Sequence, residues 1–313
     1  MPIPALDEGQ LLLKNAYLSI DPAIRQWIGG RGRYIAPIGP GDVVRSIVLG
    51  QVVESRLPGI GEGDWVRALG AWEEYSVAGK RDFPQRVADG NAPAPTAHLG
   101  VLGGAGLAAY FGLFDIGQPK AGETVAVSSA AGSVGSIVCQ LARAHGCRVV
   151  GITGSDEKAA WLREHCGVAA TINYRSGGLR ESFKTACPEG VDVYFDNAGG
   201  DLLEAALGSL NRGGRIVLCG ATANYDSAEV PRGPSNYLCL LEQGGRMEGF
   251  MASQFQARFG EAVAFLEAAT AEGRLHFQEH FVEGLAQAPA SLLQVLHGEV
   301  IGRLLVRLEA TNR

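Results

Sequence analysis

Short apolar segments separated by glycine and proline dominate the chain up to about residue 85. The three clearest segments are QLLLKNAYLSI, RSIVLGQVVESRL and DWVRAL. Apolar runs of this length between turn-forming residues are typical of β-strands. The pattern therefore predicts a β-rich domain at the start of the chain.

From Thr124 onwards, short apolar strands alternate with amphipathic helices. The predicted strands are TVAVSS, CRVVGI, ATINY, VDVYFDN and GRIVLCG, and the predicted helices are residues 134–145, 157–166, 179–187 and 202–210. Such alternation with short links is typical of right-handed βαβ units on a parallel sheet. We therefore predict an α/β fold with a doubly wound parallel sheet and a second, β-rich domain, to which the strand-like tail GEVIGRLLVRL could return.

Composition and charge narrow the class of protein. The 313 residues are 46% hydrophobic and 19% charged, which is ordinary for a folded enzyme of two compact domains. A net charge of −6, with no long basic run, argues against nucleic acid as a partner. The acidic start MPIPALDEGQ has no apolar core, so we expect no secretory signal and a cytoplasmic protein.

Two further features concern the membrane and the redox state of the compartment. The uncharged run from Asn91 to Phe114 contains prolines, glycines and a histidine, so we interpret it as buried protein and predict no membrane partner. The six cysteines form no CxxC pair, which favours reduced structural thiols.

The stretch AVSSAAGSVGSIV has the spacing of a dinucleotide-binding turn at Ala130, Gly132 and Gly135, between a predicted strand and a predicted helix. Gly132 would let the backbone approach a pyrophosphate and Gly135 would let the helix approach the sheet, whereas position 130 needs only a small residue. The helix beginning near Ser133 would point its amide groups at the phosphates. The alternative is a glycine-rich turn that binds no ligand.

The strand CRVVGI does not end in the carboxylate that NAD-selective sites use to bind the adenosine ribose. Small residues and a lysine follow it instead: Thr153, Gly154, Ser155 and Lys158. Small residues leave room for a 2′-phosphate, Lys158 supplies charge and Ser155 a hydroxyl, with Tyr174 and Arg175 at the end of the next strand. The sequence therefore predicts NADPH; the alternative is a solvated Lys158 paired with a neighbouring acid.

Potential zinc ligands are scarce in the β-rich part, since the first histidine is His98 and the first cysteine is Cys139. We therefore predict a site without metal. Hydride transfer without a Lewis acid suits acceptors that delocalise the developing charge, such as the β-carbon of an enone or a quinone.

Several motifs, in order, resemble the zinc-independent medium-chain reductases of the prostaglandin reductase, leukotriene B4 dehydrogenase and bacterial curcumin reductase group. They are YLSIDPAIRQWI, AAGSVGSIVCQLARAHGCRVVGITGSDEK, VDVYFDNAGG, GRIVLCGATANY, GPSNYLCLL and RMEGFM, and they extend over almost the whole chain. The resemblance implies a Rossmann-type domain, residues 101–280, and a GroES-like catalytic domain from both chain ends, residues 1–100 and 281–313. It also implies a homodimer that uses NADPH to reduce the C=C bond of α,β-unsaturated ketones and aldehydes.

The resemblance also assigns residues to the cofactor site. The pyrophosphate turn is Gly132, Ser133, Val134 and Gly135, and the 2′-phosphate is held by Lys158 and Tyr174 with Ser155 beside them. The nicotinamide half is lined by Asn197, by the loop Cys219, Gly220, Ala221 to Tyr225, and by Phe250, Met251 and Ala252.

Tyr237 in GPSNY matches a tyrosine that helps to handle the enolate, and a site without metal needs such a hydrogen-bond donor. Tyr225 and a ribose hydroxyl of the cofactor are alternative donors, and a tyrosine that only packs is a third possibility.

The sequence departs from the family pattern in three places: Ala23 replaces a family tyrosine, Val300 replaces an asparagine, and relatives have strands before PIPALDEGQ. Two other functions stay open: quinone reduction, and an NADPH-binding sensor or scaffold with little turnover.

Overall fold

The computed structural model describes residues 5–30, 35–87, 94–226 and 232–308, and the chain divides into two compact units. Unit 1 combines Met1–Leu99 with Glu279–Arg313, and unit 2 is Gly100–Gln278.

Strands and helices of the described residues are numbered in chain order. The strands are β1 (Gln10–Ser19), β2 (Arg45–Ser55), β3 (Trp65–Ala71), β4 (Tyr75–Gly79), β5 (Gln85–Arg86), β6 (Thr124–Val127), β7 (Arg148–Thr153), β8 (Ala170–Asn173), β9 (Val191–Asp196), β10 (Leu210–Leu218), β11 (Arg246–Gly249), β12 (Glu279–Glu283) and β13 (Arg303–Arg307). The α-helices are α1 (Ile24–Ile28), α2 (Gly104–Phe111), α3 (Ser133–Ala144), α4 (Asp156–Trp161), α5 (Leu179–Ala186), α6 (Gly200–Leu207), α7 (Leu238–Gln243), α8 (Phe259–Ala271) and α9 (Ala288–Leu296).

Unit 1 is built on one sheet with the strand order β12-β13-β1-β2-β3-β5, and β4 also pairs with β1. The last strand of the chain, β13, runs antiparallel to the first, with Leu18 opposite Val306. Leu11, Leu13 and Leu18 of β1 belong to a buried apolar cluster that also contains β13 residues. The two ends of the chain therefore share one core.

Unit 2 contains a parallel sheet of six strands in the order β11-β10-β9-β6-β7-β8. All four residues of the central strand β6 are buried, as expected for a parallel strand with helices on both faces. From β6 the chain proceeds to β7 and β8 on one side, and it places β9, β10 and β11 on the other. The predicted doubly wound sheet is confirmed, and its switch point lies at the carboxyl ends of β6 and β9, where such folds bind dinucleotides.

Two helices differ from the sequence-based prediction by more than one residue at an end. The helix predicted for 157–166 is α-helical only to Trp161, because Leu162–Cys166 continues as a π-helix. The helix predicted for 202–210 begins at Gly200 and ends at Leu207, because Leu210 pairs with Val191 as the first residue of β10. Tertiary strand pairing thus overrides the local helical pattern.

Part of the uncharged run lies outside the described residues, at 91–93, and the rest forms a short 3₁₀ helix and α2 with buried apolar side chains. No helix in the described part of the chain is long and apolar enough to cross a membrane. None of the six cysteines, all of which are described, forms a disulfide bond. Burial raises the pKa of Cys147 and Cys187 to about 11 and that of Cys166 to about 12, so these thiols stay protonated at neutral pH.

Candidate dinucleotide-binding site

The turn between β6 and α3 carries the glycine motif and leaves the start of the helix without a side-chain cap. The N-cap residue Gly132 donates its amide to the carbonyl oxygen of Ser129 at 2.9 Å. The first amides of a helix have no internal acceptor, so those of Ser133, Val134 and Gly135 suit an anion at the positive end of the helix dipole.

The same turn explains why alanine is accepted at the first position of the motif. The left-handed residue of the turn is Ser129, with φ of 46°, and Ala130 is not among the residues of positive φ. Ala130 is buried, and its amide donates to the carbonyl oxygen of Ile152 at 3.0 Å. Gly135 cannot be replaced as easily, because a Cβ there would lie 2.4 Å from the carbonyl oxygen of Ser129.

At the end of β7 the side chains expected to bind a 2′-phosphate begin α4. Ser155 is the N-cap, and its Oγ accepts a hydrogen bond from the amide of Lys158 at 3.3 Å. A hydroxyl that accepts in this way can still donate its own proton. Lys158 is only 9% exposed, which is unusual for a lysine of a helix surface, and its role in binding a phosphate stays a prediction.

Tyr174 and Arg175 follow β8 and lie over the end of β7. A Cβ on Gly154 would be 2.9 Å from the Tyr174 Oη and 3.2 Å from the Arg175 Nε, so both side chains lie directly over this glycine. The Arg175 guanidinium lies 5.8 Å from the centre of the Tyr174 ring. Asn173 fixes the turn, because its Oδ1 accepts from the Arg175 amide at 3.1 Å and its Nδ2 donates to Asp156 at 2.9 Å.

Asn197, expected on the nicotinamide side, joins the end of β9 to the end of β6. Its main-chain amide donates to the Ser128 Oγ and its Nδ2 donates to the Ser128 carbonyl oxygen, both at 2.8 Å. Its own carbonyl oxygen accepts from the amide of Thr222 at 3.2 Å. The structure therefore brings Asn197 together with the loop that follows β10.

That loop, residues 219–225, is shaped by its own hydrogen bonds. The amides of Cys219 and Gly220 both donate to the carbonyl oxygen of Asp196, at 2.9 and 3.0 Å. The amide of Ala221 donates to the hydroxyl of Tyr225 at 3.3 Å, which turns the half-buried tyrosine back over the loop. The four predicted residues of this loop thus lie together beside Asn197.

Residues 250–252 reach the same edge of the sheet, because Gly249 of β11 pairs in parallel with Leu218 of β10. The Phe250 ring points towards Gly112, where an added Cβ would lie 2.6 Å from the ring. Ala252 packs on the cluster around Phe111. Met251 is exposed, so it and the backbone are what this segment presents to solvent.

Tyr237 is not brought to the other predicted residues by any contact in the described part of unit 2. It precedes α7 and is 60% exposed. Its neighbour Asn236 donates from Nδ2 to the carbonyl oxygen of Glu204 on α6 at 2.8 Å. The role of Tyr237 in catalysis stays a prediction.

Sequence reasoning missed Ser128 and Asp196, which hold the end of β9. Ser128 donates from Oγ to the Asp196 carboxyl group at 2.9 Å, and both residues are fully buried. Burial raises the pKa of Asp196 above its ordinary value, against hydrogen bonds from Gly199, Ala198 and Ser128 that lower it. A polar pair directly after two apolar strands, SS after TVAV and DN after VYF, was the available signal.

These features fit a dinucleotide that carries a phosphate on its adenosine ribose. The start of α3 suits the pyrophosphate, and the segments that follow β7 and β8 carry one lysine, one arginine and two hydroxyl groups that suit the extra phosphate. At Gly135 a Cβ would meet the backbone of Ser129 and Ala130, so only glycine allows α3 to begin this close to the turn.

Comparison with known proteins gives matches over nearly the whole chain. A family model described as the N-terminal domain of oxidoreductase matches residues 1–85, and one described as zinc-binding dehydrogenase matches residues 133–268. The chain is 36% identical to the NADPH-dependent curcumin reductase of Escherichia coli (strain K12), over 96% of this chain and 88% of that protein. It is 36% identical to prostaglandin reductase 1 of Bos taurus, over 97% and 91% respectively. The crystal structure of CurA from Vibrio vulnificus in complex with NADPH is 34% identical and matches with a TM-score of 0.92, over 99% of this chain and 93% of that chain.

The described residues do not fit the zinc ion that one of these family descriptions mentions. No group of three or more histidine, cysteine, aspartate or glutamate side chains in residues 5–30, 35–87, 94–226 and 232–308 could hold a metal ion. The site without metal stays a prediction.

Proposed function

The chain belongs to the medium-chain reductase family, in the group of the curcumin and prostaglandin reductases, and from this premise we propose that it reduces the C=C bond of α,β-unsaturated ketones and aldehydes with NADPH. The predicted resemblance is confirmed, and the protein is an NADP-dependent oxidoreductase. The class of substrate is the part that we propose.

The observation that carries the proposal is the similarity over 96% of the chain to an enzyme named for curcumin. Curcumin contains a C=C bond conjugated to a carbonyl group. Hydride addition to the β-carbon of such a system produces an enolate, whose negative charge is spread over carbon and oxygen. Hydrogen-bond donors are sufficient to stabilise that charge, so the reaction does not need a Lewis acid.

Selection of NADPH over NADH is proposed to depend on the ends of β7 and β8. Lys158 and Arg175 would supply the positive charge and Ser155 and Tyr174 the hydroxyls, while no acid stands at Thr153 to Ser155 to repel a phosphate. The position of Lys158 in the first turn of α4, where its amide donates to the Ser155 Oγ, supports this role.

When bound, NADPH supplies the hydride, and the chain is proposed to orient its nicotinamide. The amides of Cys219, Gly220 and Thr222 already donate within the protein. They are therefore not available to the carboxamide of the nicotinamide, and the loop can offer it carbonyl oxygens and side chains instead.

A donor to the enolate oxygen completes the proposed mechanism. The Tyr225 hydroxyl accepts from the amide of Ala221 and so lies within the cofactor loop. The exposed Tyr237 is the donor favoured by its sequence motif. We propose Tyr237 as the donor, with Tyr225 as the alternative within the cofactor loop.

The direct test follows NADPH absorbance with the purified protein and one of three additions: benzylideneacetone as an enone, menadione as a quinone, or no acceptor. We expect oxidation of NADPH with the enone and formation of the saturated ketone, identified by mass spectrometry. Turnover with menadione alone would indicate a quinone reductase. Tight binding of NADPH with no turnover on either compound would indicate a sensor or scaffold.

We also propose a homodimer located in the cytoplasm. Leu241 of α7 is 79% exposed beside the exposed Leu238, and within the described residues β11 pairs only with β10. An apolar patch near an open strand edge suits association with a second copy. Light scattering should give the mass of a dimer, and Leu241→Glu should lower that mass while Leu293→Glu, another exposed leucine, should not. A monomeric wild type would contradict the proposal.

A further inference from the structure

A buried acid at the switch point of the sheet has no role in the function proposed above. Asp196 is the last residue of β9, and it is fully buried together with its neighbours Ser128 and Tyr194. A buried carboxyl group is costly unless hydrogen bonds compensate for the loss of water. The hydrogen bonds of Asp196 therefore indicate what it does.

One oxygen of the Asp196 carboxyl group accepts three hydrogen bonds. The Asp196 Oδ1 accepts from the Ser128 Oγ at 2.9 Å, from the Ala198 amide at 3.0 Å and from the Gly199 amide at 2.9 Å. The Ser128 Oγ accepts in turn from the Asn197 amide at 2.8 Å. Two side-chain oxygens thus hold three successive main-chain amides directly after β9.

The backbone held in this way is itself the support of the loop after β10. Four amides of that loop donate to three successive carbonyl oxygens: Cys219 and Gly220 to Asp196 at 2.9 and 3.0 Å, Thr222 to Asn197 at 3.2 Å, and Ala223 to Ala198 at 3.0 Å. Hydrogen bonds therefore connect the Asp196 side chain to residues 219–223, which are part of the proposed lining of the nicotinamide.

We propose that Asp196 is a positioning residue for the nicotinamide half of the cofactor site, acting as the hydrogen-bond acceptor that fixes residues 197–199 and, through them, the loop 219–223. The inference rests on the proposed function in one respect, because the proposed function identifies this half of the site as the part that binds the nicotinamide. Asp196 touches neither cofactor nor substrate in this role, because Asn197 and the loop stand between.

The role needs an acceptor oxygen and not a negative charge. The Ser128 hydroxyl and the Ala198 and Gly199 amides all donate to the one oxygen Oδ1, and burial raises the pKa of Asp196. The second oxygen, Oδ2, has no hydrogen-bond partner among the described residues, and the buried hydroxyl of Tyr194 lies close to the same carboxyl group. An asparagine keeps the accepting oxygen and has an amide in place of Oδ2, which can face the Tyr194 hydroxyl. An alanine removes the acceptor of the buried Gly199 amide. It also leaves the Ala198 amide with only its 3.2 Å contact to the Ser128 Oγ, and that hydroxyl with only its 3.5 Å contact to the Phe195 carbonyl oxygen.

The test compares Asp196→Asn with Asp196→Ala, and uses Asp192→Ala as the matched control. Asp192 lies on the same strand and accepts from the amide of Thr124 and from Asn211, both at 2.8 Å, at the opposite end from the site. Three measurements are made on each folded variant: hydrogen exchange of the amides of 219–223, affinity for NADPH, and affinity for adenosine 2′,5′-bisphosphate, which occupies only the adenosine half.

In Asp196→Ala we expect exchange of the loop amides to accelerate by about tenfold or more, because their acceptor backbone is released. NADPH should bind more weakly, while affinity for the bisphosphate should stay within about twofold of wild type, since β7 and β8 hold that half. Asp196→Asn should stay close to wild type in all three measurements, and Asp192→Ala should leave exchange of the loop unchanged.

Wild-type exchange in Asp196→Ala would overturn the proposal, and so would an asparagine variant as impaired as the alanine variant. Equal losses of NADPH and bisphosphate would show a general structural role instead. If Asp196→Ala does not fold, Ser128→Ala removes one donor to the carboxyl group and one acceptor of the Asn197 amide, and the same outcomes apply. None of these measurements uses a substrate, so an enzyme inactive on enones would refute the proposed function without affecting this test.

Discussion

Replacement of Lys158 by methionine is expected to weaken binding of NADPH and to leave binding of NADH nearly unchanged. Methionine keeps most of the apolar stem of this buried side chain and removes only the ammonium group. The main-chain amide of residue 158, which donates to the Ser155 cap, is retained, so α4 should keep its start.

The expected magnitude follows from a single lost contact. One hydrogen bond between a charged donor and a phosphate contributes about 1.5–3 kcal/mol. Since about 1.4 kcal/mol changes a dissociation constant tenfold, the Kd for NADPH should rise about 10- to 150-fold. Ser155, Tyr174 and Arg175 remain in the variant, so some preference for NADPH should persist.

The assay is a fluorescence titration of each variant with NADPH and with NADH. Lys184→Met serves as the matched control, because Lys184 is an exposed lysine of the same unit, 3.4 Å from Glu181 on α5. The control should bind both cofactors like the wild type. Equal losses for NADPH and NADH in the Lys158 variant, or no loss for NADPH, would refute the reasoning.

Three further predictions concern the substrate and the cofactor loop. Ala23→Tyr, which restores the larger family residue, should narrow the range of accepted enones, and an unchanged profile over a panel of branched enones would count against a substrate role for position 23. Tyr237→Phe should lower turnover about 10- to 1000-fold with little change in NADPH affinity, and Tyr225→Phe should lower it less. If Tyr237→Phe keeps wild-type turnover while deuterated NADPH shows that hydride transfer limits the rate, Tyr237 is not the donor. NADPH should slow alkylation of Cys219 in the cofactor loop and not that of Cys239 on α7, as measured by peptide mass mapping; equal rates with and without NADPH would contradict the assigned position of the loop.

The order of strands and helices in unit 2 was predictable because each element has its own local pattern. A fully apolar run such as TVAV predicts a strand buried on both faces, and the amphipathic segment after it predicts a helix that covers the sheet. The ends of α4 and α6 were less predictable, because pairing of β10 with β9 and the π-helix after Trp161 depend on contacts distant in sequence.

The candidate site was predictable as a set of positions and not as a set of contacts. Spacing identified Gly132 and Gly135, and the absent acid identified the region of Lys158. The Phe250 ring packs against Gly112, where a side chain would collide with it. The Asn197 amide is held by a hydrogen bond to the Ser128 Oγ. Neither partner is near in sequence, so no local pattern could reveal them.

The most direct test of the central claim is the position of the transferred hydrogen. The wild-type protein is incubated with benzylideneacetone and with NADPH that carries deuterium on the transferable position of the nicotinamide, and the product is analysed by NMR and mass spectrometry. The account predicts the saturated ketone with one deuterium on the former β-carbon and an intact carbonyl group. An allylic alcohol with deuterium on the carbonyl carbon, or no deuterated product at all, would contradict it.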